Sequence, residues 1–192
     1  MIIGITGGIA SGKSTVINIL KEEGAVVIDL DQIGREIMRK GEKGWKMVIK
    51  CFSPLLLDEE GYIDRKKLGK IIFRNPQWKN ELENITHPLI FQKLEKRKRD
   101  IDARTILIEV PLLYETGFDQ KVDEVWVVYV DQETQIKRLQ NRDKISRKEA
   151  REKIATQMPL EMKKEKADLV IDNRKNKIDL ENELKELWRR YQ

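Results

Sequence analysis

The sequence is short of several things, and each shortage closes off a class of protein. One cysteine, Cys51, occurs among 192 residues, so no internal disulfide framework is possible and a reducing compartment is the expected setting. There is also a single histidine, so a zinc-type Cys/His cluster cannot be assembled. Aromatic residues make up 6% of the chain, and its basic stretches lack the aromatic interleaving of a nucleic-acid-binding surface. No apolar run approaches the roughly 20 residues of a membrane-spanning helix. Met1 leads directly into an apolar strand rather than into a signal peptide. These absences predict a cytoplasmic protein with neither membrane nor nucleic acid as a partner, and a monomer is favoured.

Charge, by contrast, is abundant: 37% of residues are charged and the formal net charge is +5. The segment from Gln132 to Lys166 holds 11 Lys or Arg against 6 Asp or Glu. That excess suits either a solvated helical face or a surface for nucleotide phosphates. With 40% apolar residues, the chain is long enough for one α/β domain with insertions.

The chain is organised around Gly7-Gly8-Ile9-Ala10-Ser11-Gly12-Lys13-Ser14-Thr15, which fits the phosphate-loop pattern Gly-x-x-x-x-Gly-Lys-Ser/Thr. Ile2, Ile3, Ile5 and Thr6 before it read as a buried strand. Val16, Ile17, Ile19 and Leu20 after it read as a helix stopped by Gly24. A strand, a glycine-rich turn and a helix N-terminus together aim N–H groups and partial positive charge at an anion. Gly8, Ala10, Ser11, Gly12 and Thr15 join Lys13 and Ser14 as candidate ATP-binding residues. Lys13 is suited to the β- and γ-phosphates, and Ser14 to Mg²⁺.

A second strand, Val26 to Ile28, ends in Asp29-Leu30-Asp31. One of these carboxylates could take a proton from a substrate hydroxyl while the other holds Mg²⁺ through water. Asp31 could equally be the N-cap of the next helix. From Gln32 to Asp102 the pattern is helical. His87 precedes Pro88, which predicts a helix break there. A third strand over Thr105–Ile108 runs into Glu109, an acidic candidate for Mg²⁺, and then into a turn where Leu112 and Leu113 could wall an apolar site. Val125 to Val130 reads as a central parallel strand.

Asp131 is placed to cap a helix carrying Lys137, Arg138 and Arg142, and Ser146 opens a second helix with a capping box, continuing to about Gln157. Such a basic hairpin can act as a lid that brings an arginine to the transferring phosphoryl group. Ala167–Ile171 gives the fifth strand, and Leu180, Leu184, Leu187 and Trp188 an amphipathic final helix. The fold class expected is α/β, a phosphate-loop NTPase-type three-layer fold. Its core would comprise residues 1–31, 103–131 and 167–192 around a five-stranded parallel sheet. Residues 32–102 would form a helical insertion and 132–166 a lid. A GTPase reading rests on Asp58-Glu59-Glu60-Gly61 and Asn176-Lys177-Ile178-Asp179, but neither stands where that fold needs it.

Taken in order, the motifs resemble the dephospho-CoA kinase family. They are the phosphate loop, Asp29-x-Asp31 with Ile33 and Arg35, Gly61-x-x-Asp64-Arg65-x-x-Leu68 with Phe73, His87-Pro88, Pro111-Leu112-Leu113-Tyr114-Glu115, Arg142-Asp143, Gln157, and Ala167-Asp168-x-x-Ile171-Asp172-Asn173. The resemblance implies ATP-dependent phosphorylation of the ribose 3′-hydroxyl of dephospho-CoA, the last step of coenzyme A biosynthesis, with Mg²⁺. It implies Asp31 as general base, Lys13 as triphosphate clamp, and Arg142 and Arg138 as lid arginines. Arg35, His87, Pro111, Leu112, Leu113 and Glu115 would lie on the acceptor side, and Asn173 on the nucleotide side. The runner-up is a kinase of another nucleotide-like acceptor. Two residues depart from the family's pattern: Ala10, where glycine is usual and where alanine is tolerable unless a positive φ is needed, and Arg174, where a small residue is usual.

Overall fold

The structure is a computed structural model that describes all 192 residues. The chain packs as two compact units, residues 1–28 with 103–192, and residues 29–102.

The first unit is built on a five-stranded parallel sheet. Its strands are β1 (Ile2–Gly7), β2 (Val26–Asp29, whose last residue begins the other unit), β3 (Ile106–Glu109), β4 (Glu124–Tyr129) and β5 (Leu169–Asp172), in the order β2-β3-β1-β4-β5. β1 is buried on both faces: Ile3 and Ile5 point to one side and are fully buried, while Gly4 and Thr6 on the other side are buried too, as a central parallel strand requires. Helices α1 (Lys13–Glu22) and α9 (Lys177–Trp188) cover one face. Val16, Leu20, Leu180 and Leu184 meet Ile3, Ile5 and Trp126 there. Trp126, Trp188 and Tyr191 form an aromatic cluster with ring centroids 5.0–6.5 Å apart. α1 ends as expected. Gly24 takes φ +87° and the Ala25 N–H reaches back to the Leu20 carbonyl at 2.9 Å, a left-handed helix stop.

Helices α6 (Gln132–Asp143), α7 (Arg147–Ile154) and α8 (Leu160–Glu165) belong to this same unit. The Asp131 cap and the Ser146–Glu149 capping box are both present. The second of these helices stops at Ile154 rather than near Gln157, and a third, α8, follows Pro159. Proline at that position fits, because the donor it lacks has no partner at a helix start.

The second unit is helical, as its periodicity predicts: α2 (Leu30–Ile37), α3 (Lys43–Phe52), α4 (Arg65–Arg74) and α5 (Pro76–Arg99) around Val48, Leu56, Ile63, Leu68 and Ile85. Trp45 and Trp78 lie here, Trp45 donating its indole N–H to the Gly61 carbonyl at 3.1 Å and Trp78 packed on Phe52. The break expected at His87-Pro88 does not occur; α5 runs 24 residues with Pro88 inside it. Buried Ile85 and Leu94 anchor the helix on either side of the proline, and that packing outweighs the lost backbone hydrogen bond. The Asp31 cap is also corrected. Asp29 is the N-cap of α2, its Oδ1 accepting from the Gln32 N–H at 3.0 Å, and Asp31 sits in the first turn.

Candidate active site

The phosphate loop leaves β1 at Gly7 and enters α1 at Lys13. The Ser11 N–H closes a turn on the Gly8 carbonyl at 3.0 Å. Gly12, at φ +85°, begins the helix with no side-chain cap, and the first turn carries no acidic residue. No side chain of the loop or of the first turn therefore caps the positive end of α1, which leaves its N–H groups open to an anion. A side chain at Gly12 has no room, because its Cβ would stand 2.0 Å from Asn173 Nδ2. Ala10 has φ +60°, so the one condition under which alanine is unfavourable at this position is met.

The loop lines a cleft of about 400 Å³ together with Pro111, Arg138, Arg142 and Gln157. Lys13 is ion-paired with Glu109 at the end of β3, and both side chains are largely buried. Arg138 donates to two carbonyls, Ser11 at 3.3 Å and Asn173 at 3.0 Å. Asn173 itself is buried, with Nδ2 on the Ser11 carbonyl at 2.7 Å. Arg138 and Asn173 thus buttress the loop from the β5 side. Arg142 is the more exposed arginine, paired with its neighbour Asp143 at 2.8 Å. Arg142 and then Lys153 from α7 hold the Asp143 carboxyl down at about 2. Ser14 and Thr15 are exposed on the first turn of α1.

Pro111 has its carbonyl bonded by Thr6 Oγ1 at 3.1 Å and by Lys163 Nζ at 3.2 Å. Lys163 has no exposed side-chain surface and pairs with Glu115 at 2.9 Å, while the Met158 N–H also donates to Glu115. Burial works against the Glu115 carboxylate, but Lys163 and the Met158 amide outweigh it and its pKa is lowered. The expectation for the leucines needs correction. Leu113 is fully buried, packed where a Cβ on Gly4 would stand 2.6 Å from it, so it belongs to the core; only Leu112 is exposed.

The remaining predicted residues belong to the helical unit. Asp29 is engaged at both oxygens, by the Gln32 N–H and by Arg35 at 3.5 Å. Asp31 and Arg35 are exposed on α2. His87 is half-buried, edge-on to Phe91 at 6.3 Å. Two residues, Gln135 and Lys163, went unselected by sequence reasoning, and a third, Gln157, entered as a motif residue without a site role. Gln135 and Gln157 both hydrogen-bond Ile9 in the phosphate loop, and Lys163 supports the Pro111–Glu115 turn. Gln157 stands among the family motifs, but Gln135 and Lys163 lie in polar runs that mark neither as buried. Arg174 pairs with Asp172 at 2.5 Å and lies over the Tyr129 ring.

Both GTPase-like tetrapeptides have structural explanations. Asn176 caps α9, its side chain bonded to Asp179 at both ends. Asp58 Oδ1 accepts from the Glu60 and Tyr62 amides and shapes a turn.

The family model described as dephospho-CoA kinase matches residues 1–179. A dephospho-CoA kinase of Geobacter sulfurreducens is 46% identical over 190 residues, covering 97% of this chain and 96% of that protein. Among solved structures, TT1252 from Thermus thermophilus superposes with a TM-score of 0.87 at 31% identity, covering 100% of this chain and 98% of that one. A dephospho-CoA kinase from Campylobacter jejuni gives 0.70 at 33%, covering 98% and 95%.

Proposed function

The chain belongs to the dephospho-CoA kinase family and carries out ATP-dependent phosphorylation of dephospho-CoA in coenzyme A biosynthesis; from that premise we propose that the γ-phosphate goes to the ribose 3′-hydroxyl, with Asp31 as general base. The observation that carries the nucleotide half of this reading is the phosphate loop on an uncapped, acid-free helix start, lining one cleft with Arg138 and Arg142. Phosphoryl transfer asks mainly for positioning and charge neutralisation. Lys13 would exchange Glu109 for the β- and γ-phosphate oxygens. Arg142, weakly held and exposed, would swing onto the transferring group, while Arg138 keeps the loop in place. Residues 132–166 would act as the lid, and the helical unit, with Arg35 and His87, would bind dephospho-CoA.

The oxygen donors fit Mg²⁺, which prefers one or two carboxylates plus waters and substrate phosphates over a dedicated protein cage. Ser14 Oγ and Glu109 would hold it; Asp29, with both oxygens engaged, would contribute through water. When bound, the ion would supply charge neutralisation at the phosphate oxygens. No helix is long and apolar enough to cross a membrane, and we read the protein as a cytoplasmic monomer.

The test is ADP release from Mg·ATP with and without dephospho-CoA, with the product weighed by mass spectrometry and its phosphate position assigned by NMR. Asp31→Asn should lower turnover by about 100-fold or more, the range for a lost general base, with ATP binding retained. Wild-type turnover in that variant would remove Asp31 as the base.

A further inference from the structure

The phosphate loop is gripped at one residue by two glutamines from outside it. Gln135 Nε2, on α6, donates to the Ile9 carbonyl at 2.9 Å, and the Ile9 N–H donates to Gln157 Oε1 at 2.9 Å. Gln135 is buried. It reaches the loop across Gly8, where a Cβ would stand 2.5 Å from Nε2. Gln157 is anchored in turn, since the next amide, Met158 N–H, is bonded to Glu115, which pairs with buried Lys163.

The Ile9 carbonyl belongs to the peptide that joins Ile9 to Ala10. The orientation of that peptide plane is what sets φ at Ala10, and φ there is +60°. In that region the Cβ of an L-residue crowds its own backbone, so alanine left to itself favours another conformation. Something outside the loop must hold the plane, and the two amide side chains are bonded to its carbonyl and to the N–H one peptide earlier.

We propose that Gln135 and Gln157 are positioning residues that lock the strained phosphate loop in its anion-accepting shape ahead of ATP. This rests on the reading of the loop as the ATP site. In chains with glycine at this position the left-handed conformation carries no Cβ penalty; in this chain, with Ala10, the clamp does work that glycine would make unnecessary. The inference therefore predicts a coupling between residues 135, 157 and 10, not merely a loss at each.

The experiment measures kcat and KM for both substrates with the full-length protein. Gln135→Met and Gln157→Met keep side-chain length and remove the amide. Each should raise KM for ATP by about 5- to 10-fold, the range for a lost buried hydrogen bond. KM for dephospho-CoA should stay within about twofold. Adding Ala10→Gly to either variant should recover most of the ATP deficit, because glycine adopts the loop conformation unaided. Equal losses toward both substrates, or no recovery with Ala10→Gly, would overturn the proposal and make the glutamines general scaffold. If Gln135→Met does not fold, Gln157→Met carries the test on its own. Lys13→Ala, run in parallel, separates the two levels. An unchanged KM for ATP there sinks the loop reading itself. A large defect there, with both methionine variants like wild type, sinks the clamp alone.

Discussion

Lys163 is an ammonium with no exposed side-chain surface, and it survives there because a carboxylate and a carbonyl meet it. Its partner Glu115 keeps some solvent contact, so the two are unequal. Glu115→Gln strands a buried cation and should cost about 3 kcal/mol, the scale for an uncompensated charge. Lys163→Met removes the cation and fills its volume, and should cost less. Urea denaturation of the two variants checks the order, and a larger loss in Lys163→Met would be the wrong result. Residue-level legibility was uneven for a physical reason. Lys13, Ser14 and Gly12 follow a spacing that only a phosphate loop explains. Ala10 was legible only as a condition, because whether alanine is strained depends on φ, and composition does not set φ. Gln135 and Lys163 were invisible, since a polar residue reads as exposed until its partner is known.

At the scale of elements, α5 is the instructive case. Pro88 forbids one hydrogen bond in a helix of 24 residues, and the Thr86 hydroxyl donates to the Leu82 carbonyl at 2.8 Å one turn earlier, a local bond that tends to bend helices. Pro88→Ala should therefore stabilise the protein by about 1–3 kcal/mol, up to the full cost of an interior proline, seen as a higher urea midpoint with unchanged slope. A lower midpoint would show that the proline is required by the packing of α2, α3 and α4 on α5. The sequence rule that proline ends helices failed here because it is local, while Ile85 and Leu94 are buried by contacts distant in the chain. The strands were legible to within one or two residues from their β-branched runs, and the caps at Asp131 and Ser146 to the residue. Helix α8 was missed: six residues with four charges carry no apolar period to detect.

For the whole molecule, acid is the informative variable. Glu36 in the helical unit is held below the usual carboxylate range by the Lys93 ammonium, against desolvation, with Arg97 adding to the effect. Glu115 in the sheet unit is lowered as well, despite its burial. A carboxylate depressed in the folded state contributes stability above its unfolded pKa of about 4.3 and loses it as pH falls through the folded value. Melting temperature should hold steady from about pH 7 to pH 5.5 and drop below about pH 4.5; calorimetry that found it rising toward pH 4 would contradict this. Exposed pairs such as Arg147 with Glu133 should contribute little. Five parallel strands and a helical insertion were legible at this scale, but the strand order β2-β3-β1-β4-β5 was not, because order depends on which edges meet. The tryptophans add a consequence of their own. Trp126 and Trp188 are sealed in the sheet unit, at 0% and 3% exposure, whereas Trp78, at 37%, lies in the helical one with half-buried Trp45. Intrinsic fluorescence is thus divided by unit: blue-shifted light from the sheet unit, red-shifted light from the helical one, and iodide, which reaches only open indoles, dims the second while leaving the first.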